Sequence, residues 1–338
     1  MTVSTGRMAA VFGCAGPVLL PEERAFFRDA DPFGFILFAR NVEDPDQLRR
    51  LTADLRAAVG RDAVITIDQE GGRVQRLRAP HWREWQPPLD LVCAAGPDAA
   101  PVMGLQARII ASELRALGID SNCAPVGDIA RPETHPFLKN RCYGSDPAIV
   151  AQVGRAVADG YLAGGILPVV KHMPGHGRSA ADTHLDLPTV TAPREELAAV
   201  DFAPFRALAD LPMAMTAHIV FAAYDRRPAT QSAEMIRVIR QEIGFGGLLL
   251  TDDLNMEALS GTLASRTSAS MAAGCDIALH CKGDMAQMVE VAGACGAMRP
   301  DTLTRAAAAL SRRRDPGPVD IAALEAEFSG LLAGVPHV

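Results

Sequence analysis

Short apolar or β-branched runs recur along the chain at 8–12, 34–38, 63–68, 120–124, 166–171, 213–217, 248–251 and 277–280. Runs of this length between turn-forming residues read as strands. Between them, apolar positions fall at helical spacing over 21–28, 46–59, 103–117, 149–163, 194–209, 233–243 and 263–273, and a further such stretch, 284–298, follows the eighth run. Pro193 before Arg194, Glu195 and Glu196 is a good helix start, because acidic side chains favour the positive end of the helix dipole. Strict alternation of strand and helix implies a parallel sheet. Eight such units predict an α/β chain closed into a single TIM-type (β/α)8 barrel. An open doubly wound sheet is the alternative. It is disfavoured because polar residues fall at the ends of many strands and not at one switch point. The alanine- and arginine-rich tail beyond Pro300 predicts one or two helices, over about 300–335, packed on the barrel, so that 1–338 reads as one domain.

A barrel of this kind carries its site at the C-terminal strand ends. The polar residues there are Asp68, Asp128, Lys171, His172, His218, Asp252, Asp253 and His280, which are far apart in the chain but should converge on one mouth. The densest group lies in KHMPGHGRSAADTH, from Lys171 to His184, where Pro174, Gly175 and Gly177 break any helix and predict a loop. Within it, Asp182 can fold back on His184, fix its tautomer and favour the protonated ring, which makes a competent general acid near neutral pH. Alone, such a triplet fits a surface loop histidine more often than a catalytic one. In Thr251–Met256 (TDDLNM), an aspartate at a strand end can serve as nucleophile, base or metal ligand. Two adjacent aspartates in extended backbone point to opposite sides, so one of Asp252 and Asp253 should face the site and the other should bond nearby backbone or cap a helix. In Asp68–Arg76 (DQEGGRVQR), Gly71 and Gly72 allow a tight turn, and the carboxylate with Arg73 and Arg76 suits recognition of sugar hydroxyls. No phosphate-cradling glycine pattern is present. His172 and His176 form HxxxH, but the proline and glycine between them spoil the helical geometry that would aim both rings at one metal, so zinc chemistry stands as a rival reading.

Composition narrows the classes. The chain has 338 residues, 49% hydrophobic but only 5% aromatic, which predicts a large aliphatic core. Its formal charge of −7 argues against a nucleic-acid partner, and the short run Arg312–Arg314 reads as a solvated face. Seven cysteines, an odd number with no CxxC pair, read as reduced, mostly buried thiols. The N-terminus lacks a sustained apolar segment, and no run approaches the roughly 18 apolar residues of a membrane span. These features predict a soluble cytoplasmic protein without a membrane partner, monomeric by default; neither a cofactor nor a metal is expected for it, zinc remaining the rival reading.

Taken in order, the blocks FILFARN (35–41), DQEGGRVQR (68–76), APVGD (124–128), KHMPGHG (171–177) with Asp182-Thr183-His184, Ala217-His218 and TDDLNM (251–256) resemble glycoside hydrolase family 3 over about residues 8–285. Within it they look like the single-domain bacterial β-N-acetylglucosaminidases of peptidoglycan recycling. The resemblance implies that Asp252 is the nucleophile, that His184 is the acid/base with Asp182 as its partner, and that Asp68, Arg76, Arg141, Lys171 and His172 hold the sugar. It also implies retention through a covalent glycosyl-enzyme, with a His–Asp pair replacing the second carboxylate of most glycosidases. The implied substrate is a glycan, N-acetylglucosaminyl anhydro-muropeptide. Relatives that cleave glucosides take their acid from a second domain, for which this chain leaves no room. The glycines beside His176 suggest a loop that closes over substrate.

The chain departs from the family pattern at Asn140-Arg141-Cys142-Tyr143-Gly144, commonly Asp-Arg-Ser-Phe-Gly, and at Thr183 and Thr251, where serine is frequent. None of these touches the implied catalytic groups. Three competing readings remain: transfer of the sugar to phosphate, a metal-dependent hydrolase, and a non-catalytic sugar binder.

Overall fold

The computed structural model describes residues 4–179 and 187–333. Its centre is a closed barrel of eight parallel strands: β1 (Met8–Gly13), β2 (Pro32–Leu37), β3 (Val64–Ile67), β4 (Ser121–Asn122), β5 (Leu167–Met173), β6 (Met213–Thr216), β7 (Leu248–Asp253) and β8 (Ile277–His280). The seam closes where Ala10 of β1 lies beside Ala278 of β8. Each predicted strand has its counterpart, and the fold is a TIM-type (β/α)8 barrel.

Successive side chains on a strand point to opposite faces. Ala9, Val11, Val64, Leu167, Val169, Met213, Met215, Leu248, Leu250, Ile277 and Leu279 pack with one another as one buried cluster. The alternate residues, among them Ala10, Phe12, Ile65, Val170, Ala214 and Leu249, pack against the surrounding helices. The barrel interior is therefore a solid aliphatic core, and any open volume must lie beyond the strand ends.

Pro21–Ala30, Pro45–Val59, Ala99–Arg115, Pro147–Ala163, Leu263–Ala273 and Met285–Cys295 form helices close to the predicted bounds. Local chemistry sets several starts: Asp44, Asp146 and Asp284 accept a backbone N–H of the first turn, and Pro45 and Pro147 occupy the first helical position. The stretch expected as one helix over 194–209 is instead broken into Arg194–Glu196, a wide π turn Leu197–Asp201, and Ala203–Ala207. Pro204 has no N–H to offer the preceding turn, which is where the α-helical ladder fails. The stretch expected over 233–243 likewise passes from Ala233–Arg237 into a π turn, Val238–Glu242.

Helix Pro300–Ser311 places Ala306, Ala309 and Leu310, with Met298, against the barrel interior and so closes its N-terminal end. Helix Ile321–Ala333 lies against Ala99–Arg115, with Phe328 edge-on to Trp85 at 5.8 Å between ring centroids. With that end shut, the C-terminal strand ends form the open face. The seven cysteines are all free thiols, and six are buried. No helix among the described residues is long and apolar enough to cross a membrane.

Candidate active site

A cavity of about 210 Å³ opens at the C-terminal ends of the strands, lined by Asp68, Arg73, Arg76, Arg141, Lys171, His172, His176, Asp252 and Asp253, with apolar wall from Ile36, Phe38, Phe137, Met215, Met256 and Leu279. Six residues predicted for the site, Asp68, Arg76, Arg141, Lys171, His172 and Asp252, therefore meet in one place. Asp182 and His184 lie outside the described residues.

The DQEGGRVQR segment is rigid. Gln69–Gly71 pairs antiparallel with Val74–Gln75, and the turn between them runs through Gly71 (φ 109°) and Gly72 (φ 56°). A Cβ on Gly71 would come within 2.8 Å of the Gln86 carbonyl, and one on Gly72 within 2.8 Å of Pro87, so both positions require glycine. The Gln69 side chain accepts the N–H groups of Arg76 and Leu77, and Asn122 holds the Gln69 backbone from the neighbouring strand. The hairpin carries Asp68 at one end and Arg76 at the other, and they meet at 2.9 Å.

Asp68 also accepts from Lys171 Nζ at 2.8 Å. Burial opposes its charge, yet Lys171 and Arg76 hold its carboxyl far below the usual carboxylate range. Lys171 is 2% exposed and reaches a second carboxylate, Glu70, at 2.6 Å. Burial alone would discharge this amine, but Asp68 and Glu70 raise it above its ordinary value. Glu70 in turn takes both arms of Arg141, Nε at 2.9 Å and Nη2 at 2.8 Å.

His172 is fixed from the other side. Its Nδ1–H donates to Asp128 Oδ2 at 2.6 Å, which leaves Nε2 as an acceptor facing Arg141 Nη2 at 3.4 Å. Asp128 also accepts the backbone N–H of His176 at 2.7 Å, and its carboxyl is held low, against burial, by His172 and His176. Burial and the adjacent His172 push the His176 ring down to about 4, so at neutral pH it is uncharged.

Asp252 and Asp253 both line the cavity, against the expectation that only one would face it, but they differ in what they bind. Asp253 lines the cavity wall, but its Oδ1 accepts from the N–H groups of Asn255 and Cys281, both at 3.2 Å. Asp252 accepts only the N–H of Asp253, at 2.8 Å, among the described residues. Burial would raise the Asp252 carboxyl, yet His172 and His218 lower it, so it stands ionised in the cavity. His218 is fully buried and donates Nε2–H to the Asp253 carbonyl at 3.1 Å, while Thr230 meets its Nδ1 at 2.8 Å. His280, expected at the mouth, pairs with Asn255 and lies edge-on to Phe12, away from the cavity.

Residue-type reasoning missed Glu70, Asp128 as a partner of His172, and His176 as a lining residue. Glu70 stood in plain view inside the DQEGG block. Its signal was a carboxylate two residues past Asp68, in a block that also carries Arg73 and Arg76.

Comparison with known proteins agrees with this geometry. The model of the glycosyl hydrolase family 3 N-terminal domain matches residues 21–309. A β-hexosaminidase of Alkalilimnicola ehrlichii is 40% identical over 284 residues, covering 80% of each chain, and one of Xylella fastidiosa is 37% identical, covering 81% of this chain and 84% of its own. Among solved structures, NagZ of Neisseria gonorrhoeae in complex with N-trifluoroacetyl-D-glucosamine superposes with a TM-score of 0.84 at 30% identity, over 98% of this chain and 97% of its own. A family 3 β-N-acetylglucosaminidase of a Paenibacillus species gives 0.81 at 29% identity, over 98% of this chain and 62% of its own. With a barrel, an ionised strand-end aspartate and a polar cavity at the strand ends on one side, and these matches on the other, the chain belongs to glycosyl hydrolase family 3.

Proposed function

We propose that the protein is a retaining exo-β-N-acetylglucosaminidase that removes terminal non-reducing N-acetylglucosamine from muropeptide fragments, acting as a cytoplasmic, single-domain monomer in peptidoglycan recycling and so bearing on cell shape and division. The observation that carries this reading is the Asp252 carboxylate, kept ionised in the same small cavity as Asp68, Arg141, Lys171 and His172. An uncommitted anion faced by donors and acceptors suits attack at an anomeric carbon whose hydroxyls are held on several sides. The β-hexosaminidase names of the relatives and the N-acyl glucosamine bound by the gonococcal neighbour support the substrate class.

In the proposed course, Asp252 attacks the anomeric carbon as His184, held as imidazolium by Asp182, protonates the departing oxygen. Neutral His184 then takes a proton from water, which releases the sugar with net retention. Asp68, Arg76, Arg141, Lys171 and His172 hold the sugar ring. The test is to trap the intermediate: a slow fluorosugar analogue should label the protein once, on the peptide containing Asp252, and product NMR should show the β-anomer first. Labelling elsewhere, or an α-anomer as first product, rejects the mechanism.

A further inference from the structure

We infer that Glu70 is a positioning residue of the sugar site: its buried carboxylate sets the charge of Lys171 and the pose of Arg141, without itself touching substrate. This rests on the proposed glycosidase reading, and it deepens it. The cavity walls include Asp68, Arg141 and Lys171 but not Glu70. Glu70 is 5% exposed, and its two oxygens are shared out inside the protein: Oε1 to Lys171 at 2.6 Å and to Arg141 Nη2 at 2.8 Å, Oε2 to Arg141 Nε at 2.9 Å.

The bidentate clamp fixes the guanidinium plane. It leaves Nη2 3.4 Å from Nε2 of His172, so one carboxylate sets the directions of two side chains that wall the cavity, Lys171 and Arg141, and the second of them reaches a third, His172. A purely structural salt bridge would have no such reach.

The electrostatic part is equally specific. Lys171 faces Asp68 and Glu70 from the segment after β3, Cys123 from the end of β4, Arg141 from the loop beyond it, and Asp252 from the end of β7. The carboxyls of Asp68, Glu70 and Asp252 all sit below the usual range, Arg141 sits above its ordinary value, and burial pushes the Cys123 thiol up to about 12. None of these neighbours changes charge between pH 8 and 10. In that window Lys171 is the one group of the set whose charge a lost carboxylate can release. Without Glu70, the ammonium keeps one bonded anion, Asp68, and the charge of Asp252, against full burial and the facing Arg141. Buried amines short of partners lose their proton several pH units early.

The experiment compares the parent with Glu70→Gln, which keeps the shape and removes the charge, and Glu70→Asp, which keeps the charge and shortens the reach. The probe is a dinitrophenyl β-N-acetylglucosaminide, whose leaving group needs no proton, so the titration of the proton donor drops out of kcat/KM. We expect Glu70→Gln to raise KM about tenfold or more and to lose kcat/KM from about pH 8 upward, where the parent stays flat to about pH 10. Glu70→Asp should raise KM several-fold yet keep the parent's alkaline profile, and it decides the matter should the glutamine variant not fold. Variants with the parent's KM and alkaline profile, changed only in melting temperature, would overturn the role of Glu70 and leave the glycosidase reading intact. A parent inert toward every aryl β-N-acetylglucosaminide overturns both.

Discussion

The two ends of the barrel bury the same kinds of group and use them differently. At the N-terminal end, Asp276 is fully buried and accepts four bonds, from Arg240 at 2.6 Å, Leu249 N–H at 3.0 Å, Thr302 at 3.0 Å and Arg305 at 2.9 Å. Asp120, at the same end, binds Ile65 N–H at 2.7 Å, Arg56 at 3.1 Å and Arg313. Each carboxylate there is saturated by the protein, and the arginines come from the helices and tail that close the barrel. At the C-terminal end the cations Lys171 and Arg141 are buried and the carboxylates Asp68 and Asp252 half-buried, and Asp252, Lys171, His172 and Arg141 front a cavity. Saturated charges clamp a fold, whereas charges with capacity to spare are held ready for a ligand. The same residue types thus have opposite meanings at the two ends.

The comparison breaks most sharply at Asp252. Asp252→Asn removes a cavity carboxylate that accepts only the Asp253 N–H among the described residues, and should lower kcat by about 10³–10⁶-fold, the range for loss of an attacking group. Folding should survive, because the asparagine still accepts the Asp253 N–H. Steady-state kinetics beside a thermal melt checks both halves, and a variant retaining even a tenth of the activity would remove Asp252 from the reaction.

His184→Ala should show the next effect. Cleavage of substrates with poor leaving groups should fall by about 10²–10⁴-fold, the usual worth of a general acid, while bond cleavage with an activated aryl leaving group is spared. A uniform loss across both substrates would contradict the acid role.

At the opposite end the expected loss is one of stability. Asp276→Ala leaves Arg240 and Arg305 without their buried partner, which costs about 3–5 kcal/mol. Denaturant unfolding would measure it, with kcat/KM per folded molecule unchanged. A variant equally stable but catalytically impaired would erase the distinction between the two ends.

Acid should sharpen it further. Asp68, Glu70, Asp128 and Asp252 all hold their carboxyls below the ordinary values in the fold. A depressed folded value means that the unfolded chain takes up protons first as pH falls. The stability these groups contribute is therefore complete above the ordinary carboxylate range of about 4. Below that range it is lost, by about 1.4 kcal/mol per group for each pH unit descended, until the folded carboxyl is itself protonated. Thermal melts should fall gently from about pH 6.5, where the unfolded chain protonates the imidazoles that burial keeps neutral in the fold, His176 and His218, and then drop steeply from about pH 4 toward pH 3. A midpoint unchanged at pH 3 would mean that the lattice of charges contributes nothing to folding.

How far all this was legible in the sequence differs between strands, helices and site. The strands were, because a parallel barrel strand is buried on both faces and reads as a continuous apolar run: GILPVV before Lys171 and GGLLL before Thr251 could hardly be anything else. The helix over 194–209 was misjudged as one piece because apolar spacing survives a π turn while the ladder at Pro204 does not. Asp68, Lys171, His172 and Asp252 were legible because barrel topology sends strand ends to one mouth, whereas Arg76 and Arg141 were named as sugar-holding residues through the family resemblance. Glu70 was not singled out, and Asp128 only as a strand-end residue and not as the partner of His172, because what they do is set by partners 71 and 44 positions away, Arg141 and His172, and no local pattern encodes that distance.

The smallest expected effect is none at all, and it tests the rival metal reading of HxxxH. His172 commits Nδ1–H to Asp128 and turns Nε2 to a guanidinium, so a cation bound there would displace Arg141 or break the Asp128 bond. Lys171 and Arg141, both held firmly charged, stand in the same wall and repel a divalent ion. Among the described residues no three His, Cys, Asp or Glu side chains group as a metal site. Exhaustive dialysis against a chelator should therefore leave kcat/KM unchanged. A loss that added zinc restores would mean that the ionised Asp252 is a ligand and not a nucleophile, and the open end of the barrel would have to be rebuilt around a metal.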